Sequence, residues 1–155
     1  MNPPSNLSRN ELRNVELKFS RFGIRDIDDP TGKRSIFWLP TAVLTYVSPK
    51  LGKQRVELPE LGPLTTAQKN KVRVHFCSAL ILVESPKGEY HFYNEKGEHQ
   101  GSVPTDEAGT FDTFAVDAVL PPLRFIGATF RKGNEMRLYS PQGELLSQYP
   151  AAEED

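Results

Sequence analysis

The sequence predicts a mostly antiparallel all-β fold of repeated β-meander or hairpin units, arranged as a sandwich or barrel-like body with one or two short helices. Three observations carry this expectation. Turn signals recur along the chain with short apolar segments between them, as at Asp28-Asp29-Pro30-Thr31-Gly32, Ser48-Pro49-Lys50-Leu51-Gly52 and Pro86-Lys87-Gly88. Sustained 3.6-residue periodicity is scarce, so no helix should exceed about three turns. Finally, the block Glu89-Tyr90-His91-Phe92-Tyr93-Asn94-Glu95-Lys96-Gly97-Glu98 aligns without gaps on Glu135-Met136-Arg137-Leu138-Tyr139-Ser140-Pro141-Gln142-Gly143-Glu144, at an offset of 46 residues.

Taken in order, residues 1–12 read as a flexible lead-in, 13–150 as a single β-rich domain and 151–155 as an acidic tail. Val15, Leu17 and Phe19 alternate with Glu16 and Lys18, the period of a strand with one face in the core. Phe22 and Ile24 continue on the opposite parity, so a bulge near Ser20-Arg21 is expected to restore one face. Ser35-Ile36-Phe37-Trp38-Leu39 is apolar at every position after the first, as a strand covered on both sides would be, with Trp38 expected in the core. Pro40 is expected to end that strand, because proline cannot donate to the ladder. Further strands are expected near 42–47 and 54–58.

Internal repeats are expected over about 72–104 and 121–150, with a fainter copy over about 15–47. Gly97 and Gly143 should close their hairpins at positive φ. In each hairpin Phe92 or Leu138 should point into the core. Parity then sends His91, Tyr93, Arg137 and Tyr139 to the other face. Thr65-Thr66-Ala67-Gln68 has the form of a capping box and Thr105-Asp106-Glu107-Ala108 that of an acidic first turn, each opening a short helix.

The 155 residues include 19 lysines and arginines against 20 acids. That balance disfavours a general nucleic-acid binder, whose affinity rests on neutralising phosphates. The one cysteine, Cys77, excludes an intramolecular disulfide framework. With no apolar leader at the start and no apolar run longer than Ala79-Leu80-Ile81-Leu82-Val83, the expected location is cytoplasmic, with no membrane association.

Candidate chemistry is sparse. His75 and Cys77 share one strand face, and His91 would join them if strands 72–77 and 89–94 paired. No CxxC or HxxxH spacing supports a metal there, and none is expected. Asp26, Asp28 and Asp29 cluster in a turn but fail the calcium-loop pattern, with Thr31 where glycine belongs and Phe37 where the bidentate glutamate belongs. GxSxG, P-loop and dinucleotide fingerprints are absent, so no cofactor is expected.

The sequence therefore favours a non-enzymatic protein-binding module. Its most concrete form is a small immunity, inhibitor or adaptor-type protein that recognises one protein partner. His91, Tyr93, Arg137 and Tyr139 are the candidate partner-binding residues, because tyrosine and arginine bring large contact area with polar tips. A second sheet layer covering these side chains is the competing expectation. The alternatives are a small enzyme of unknown class whose site assembles only in the fold, and a β domain that binds single-stranded nucleic acid or a small ligand.

Overall fold

The computed structural model describes residues 12–28, 34–62, 64–116 and 124–151, with the backbone alone over 20–28 and 34–41. The lead-in before Leu12, the turn at Pro30-Thr31-Gly32, the side chains of Trp38, Asp26 and Asp28, all of Asp29 and most of the acidic tail lie outside what is described.

Among the described residues eleven strands form three antiparallel sheets that do not close into a barrel. The first sheet runs β1 (Arg13–Asp28), β2 (Arg34–Ser48), β3 (Gly52–Glu57). The second is ordered β4 (Arg73–Phe76), β5 (Leu80–Ser85), β6 (Glu89–Asn94), β7 (His99–Pro104). The third holds β8 (Thr110–Val116), β9 (Phe125–Lys132), β10 (Glu135–Tyr139), with β11 (Leu145–Pro150) at its edge. Two one-turn helices, α1 (Thr66–Lys69) and α2 (Thr105–Ala108), sit in the connections between sheets. Thr65 and Gln68 close the anticipated capping box before α1, each side chain accepting from the other's backbone N–H. No helix of the described residues is long and apolar enough to cross a membrane.

The second sheet lies between the other two. Alternation along β5 and β6 sends Ile81, Val83 and Tyr93 into a core with Leu12, Ala42, Leu44, Tyr46 and Leu58. The opposite parity sends Leu82, Tyr90 and Phe92 into a core with Ala128, Phe130 and Tyr139. With two faces to bury, β5 needs apolar residues at consecutive positions, and Leu80-Ile81-Leu82-Val83 is what that requires. Rings knit the second core. Phe130 meets Phe92 and Tyr139 edge-on, with centroids 6.5 and 5.8 Å apart, inside the range where aromatic pairs attract.

The correspondence between the two aligned blocks extends to the backbone. β10 and β11 begin 46 residues after β6 and β7. Both hairpins carry a register shift at the same place, between Phe92 and Tyr93 and between Leu138 and Tyr139. In each turn the glycine N–H donates to the carbonyl three residues earlier, Gly97 to Asn94 at 2.9 Å and Gly143 to Ser140 at 2.9 Å. Side-chain oxygens of Asn94 and Ser140 accept from the backbone N–H of Glu98 and Glu144 respectively. The preceding hairpins differ by one residue: Pro86-Lys87-Gly88 separates the paired Ser85 and Glu89, whereas only Gly133-Asn134 separates Lys132 and Glu135.

Several sequence expectations need correction. Pro40 does not end its strand; β2 continues to Ser48, with Pro40 opposite Arg21. β3 pairs only with Val43–Ser48, so β2 is an edge at Pro40 and the missing N–H breaks no ladder on that side. Pairing of β1 runs without a shift from Glu16 to Ile24, so no bulge falls at Ser20-Arg21; the shifts lie between Arg13 and Glu16 and between Ile24 and Ile27. Leu12 belongs to the first core rather than to a lead-in. Leu138, expected inside like Phe92, is only half-buried, because among the described residues no fourth sheet covers it.

Gly97 and Gly143 hold φ of +85° and +88°, as expected, and each turn is seated on the sheet before it. A β-carbon at Gly97 would collide with the Val56 side chain of β3, and one at Gly143 with the Ser102 carbonyl of β7. Gly133 shares the positive φ, at +63°, but has open space around it. Alanine at Gly133 should therefore cost only the backbone penalty of about 1–2 kcal/mol. Alanine at Gly97 or Gly143 should add about 1–3 kcal/mol of overpacking. Denaturant titration of the three variants checks this; equal losses at all three would show that the turns do not depend on their seat.

Candidate partner-binding site

The four residues singled out from sequence do share a parity, but it is not an outward one. His91, Tyr93 and Tyr139 are 4%, 1% and 1% exposed. His91 and Tyr93 are turned toward the first sheet, and Arg137 and Tyr139 toward the second. Each pair is covered by the sheet that precedes it, the competing expectation, and the four do not meet in one patch. Arg137 is half-buried, its Nε donating to Glu135 Oε1 at 2.8 Å and its Nη1 to the Glu107 carbonyl at 2.6 Å. The guanidinium holds the Glu135 carboxyl below its usual range, and Gln148 Nε2, donating to the same oxygen at 2.6 Å, adds to this. These residues pin the end of α2 to the last sheet.

His91 belongs to a small polar cluster inside the first interface. Its Nδ1 lies 3.1 Å from His99 Nε2, one nitrogen donating and the other accepting according to tautomer. Its other nitrogen is buried without a hydrogen-bond partner. Beside it, Tyr93 donates its hydroxyl to Glu60 Oε1 at 2.7 Å. Burial, then the hydrogen bond to that carboxylate, pushes the Tyr93 phenol well above its usual pKa. Tyr46, which donates to the Glu95 carbonyl at 2.6 Å, is pushed up to about 12, by burial first and the Glu95 charge second. These groups fasten the first sheet to the second.

The proposed meeting of His75, Cys77 and His91 does not occur. β4 pairs with β5 and not with β6. His75 lies opposite Leu82 and stacks on Phe111 of the last sheet at 4.4 Å, while His91 lies on the other face. Cys77 is half-buried, its thiol donating to the Leu80 carbonyl at 3.6 Å. Among the described residues no three of His, Cys, Asp and Glu gather as a metal requires. A cleft of about 470 Å³, bordered by Lys71, Arg73, Glu84, Ser85 and Thr105, includes none of the histidines.

The stack has two outer faces, and their described side chains differ in chemistry. On the first sheet the pairing sets Glu16, Lys18, Lys53, Arg55 and Glu57 around Val43, Thr45 and Val47. Glu16 and Arg55 pair with Lys18 and Glu57 at 3.4 and 3.8 Å, and Val43 is buried beneath this charged layer. On the last sheet, Thr129 lies opposite Leu138, Leu138 opposite Ser147, Met136 opposite Tyr149 and Arg131 opposite Met136. That face presents Met136, Leu138, Ser147 and Tyr149 with Arg131 at its border, and Thr129 is buried beside the Asp112 carboxylate, to which its hydroxyl donates at 3.3 Å. Tyr149 is 44% exposed, and every residue of β11 is exposed.

These residues are the counterparts of the ones that bury the second sheet against the third. At the 46-residue offset Met136, Leu138 and Tyr149 stand where Tyr90, Phe92 and Val103 stand. Sequence reading missed the face because it treated Leu138 as core; the aligned block contained the signal, since the same parity that buries Phe92 exposes Leu138 once the layers run out. No family model, curated protein or solved structure matches the chain.

Burial lowers the His91 pKa, the neighbouring His99 lowers it further, and the Glu89 and Glu60 carboxylates oppose both. An imidazole with a lower pKa folded than unfolded stabilises the fold fully above its unfolded value of about 6.5. That contribution is lost as the pH falls through this value toward the lowered one. The thermal midpoint should therefore drop between about pH 7.5 and 5.5, and drop less in His91→Asn, which keeps a polar atom near Nδ1. An identical slope in the variant would show that His91 does not govern this range.

Proposed function

We propose that the protein is a non-enzymatic protein-binding module of the adaptor, inhibitor or immunity type, and that it recognises one partner through the outer face of the last sheet. The observation that carries the reading is the contrast between the two ends of the stack. Over its described side chains one end carries a charged layer suited to water, whereas the other carries Met136, Leu138 and Tyr149, with Arg131 and Asp112 toward its β8 side. Contiguous apolar surface at one place on a small protein marks an interaction site, and depletion of charge at its centre is typical of interface cores. The flatness of a sheet face suits a protein surface better than a small molecule, which needs a concave pocket. A cytoplasmic setting belongs to the same reading, supported by a single cysteine, Cys77, that can form no internal disulfide.

The test uses three immobilised forms of the full chain in an extract of the source organism, with the retained proteins identified by mass spectrometry. They are the wild type, a Leu138→Lys, Tyr149→Lys double variant, and Arg55→Glu as a control on the charged face. One protein should be retained by wild type and Arg55→Glu alike, and the double variant should lose at least about tenfold in affinity for it, or 1.4 kcal/mol. Equal retention by all three, or no specific retention by the wild type, would overturn the proposal.

A further inference from the structure

We infer that the cleft between the end of α1 and the start of α2 binds the phosphate group of a small phosphorylated molecule. This site is separate from the outer face of the last sheet and stands independently of it. Asn70 and Lys71 after α1, Arg73 on β4, Glu84 on β5 and Thr105 border the cleft. Hydrogen bonds hold its turn in place. The Thr105 N–H donates to the Gly88 carbonyl at 2.9 Å and the Gly88 N–H to the Ser85 carbonyl at 3.2 Å, while Ser85 Oγ accepts from the Lys87 N–H at 3.1 Å. The volume of about 470 Å³ falls among those of small-molecule sites and leaves room for an organic group beside a phosphate.

Four of the bordering side chains are donors with nothing to donate to. The Lys71 ammonium, the Arg73 guanidinium, the Asn70 amide and the Thr105 hydroxyl make no hydrogen bond or ion pair among the described residues. Arg73 stands opposite Glu84 in the pairing of β4 with β5. The Glu84 carboxylate nevertheless turns to His75, its Oε1 3.7 Å from Nε2, and makes no ion pair with the guanidinium. Two cations against this one carboxylate leave the cleft positive in a chain whose formal net charge is −1. A phosphate monoester offers three terminal oxygens, enough for an arginine fork and further donors, where a carboxylate offers two. Glu89 and Asp106, next in sequence to Gly88 and Thr105, do not border the cleft but confine the positive region, so it forms no cationic stripe for a nucleic-acid backbone.

An NMR titration of the ¹⁵N-labelled full chain with inorganic phosphate, glycerol 3-phosphate and glycerol tests this. The amides of Lys71, Arg73, Gly88 and Thr105 should shift and saturate, with a dissociation constant for glycerol 3-phosphate at or below about 1 mM. Inorganic phosphate should shift the same amides with equal or weaker affinity, and glycerol should shift none. Raising the salt from about 20 to about 200 mM should weaken binding, because the bordering cations are exposed. Lys71→Gln, Arg73→Gln, at two exposed positions, should lose at least about tenfold in affinity with the rest of the spectrum unchanged. Should the double variant not fold, Arg73→Gln alone takes its place with a smaller loss. Glu84→Gln should bind more tightly, and Lys53→Gln on the first sheet as the wild type does. Shifts that fail to saturate by about 10 mM, that spread alike to lysines elsewhere, or that persist unchanged without Lys71 and Arg73 would overturn the site.

Discussion

Burial of the second sheet on both faces is the condition that the other two layers satisfy. Ile81, Val83 and Tyr93 require the first sheet, and Leu82, Tyr90 and Phe92 require the third. A sheet with two apolar faces has no stable form in water by itself, and each outer layer supplies one cover. The seating of the turns fixes how the layers are offset. The Gly97 turn rests on Val56 of β3 and the Gly143 turn on Ser102 of β7, each at a distance only glycine permits. Polar groups at the two interfaces reinforce this: Tyr93 with Glu60 at one, where burial would otherwise penalise the hydroxyl, and Arg137 with the Glu107 carbonyl at the exposed margin of the other.

Much of the architecture was legible because its causes are local. Turn glycines, the Thr65 cap and the one-turn helices follow from backbone chemistry within a few residues, and the structure has them where the residues place them. The run Leu80-Ile81-Leu82-Val83, read from sequence only as too short to span a membrane, is the strand covered on both sides. Less legible was everything that depends on the number of layers. Alternation separates Phe92 from Tyr93 and Leu138 from Tyr139 but does not say which face meets a neighbour. In the second sheet both do; in the third only the Tyr139 face does. Pro40 misled for a similar reason, since its effect depends on whether a third strand reaches that far along β2.

Function follows from the same geometry. The residues richest in chemistry are used within the molecule: Tyr93 bonds Glu60 and Arg137 bonds the Glu107 carbonyl between layers, and His91 bonds His99 within the second sheet. The proposed recognition face is the plainer set of Met136, Leu138, Ser147 and Tyr149, and the proposal rests on position in the stack rather than on reactivity. The charged residues over the described part of the first sheet's outer face act like the polar cap that stacked-repeat proteins carry at a terminus.

Native-state hydrogen exchange tests the central role of the second sheet most directly, because it reports opening strand by strand. If burial on both faces organises the molecule, the amides of β5 and β6 should exchange slowest, opening only with global unfolding. Those of β11, exposed along its whole length, should exchange through local opening at much lower free energy. Amides of β5 and β6 exchanging as fast as those of β11, or maximal protection in β1 and β2, would contradict the account.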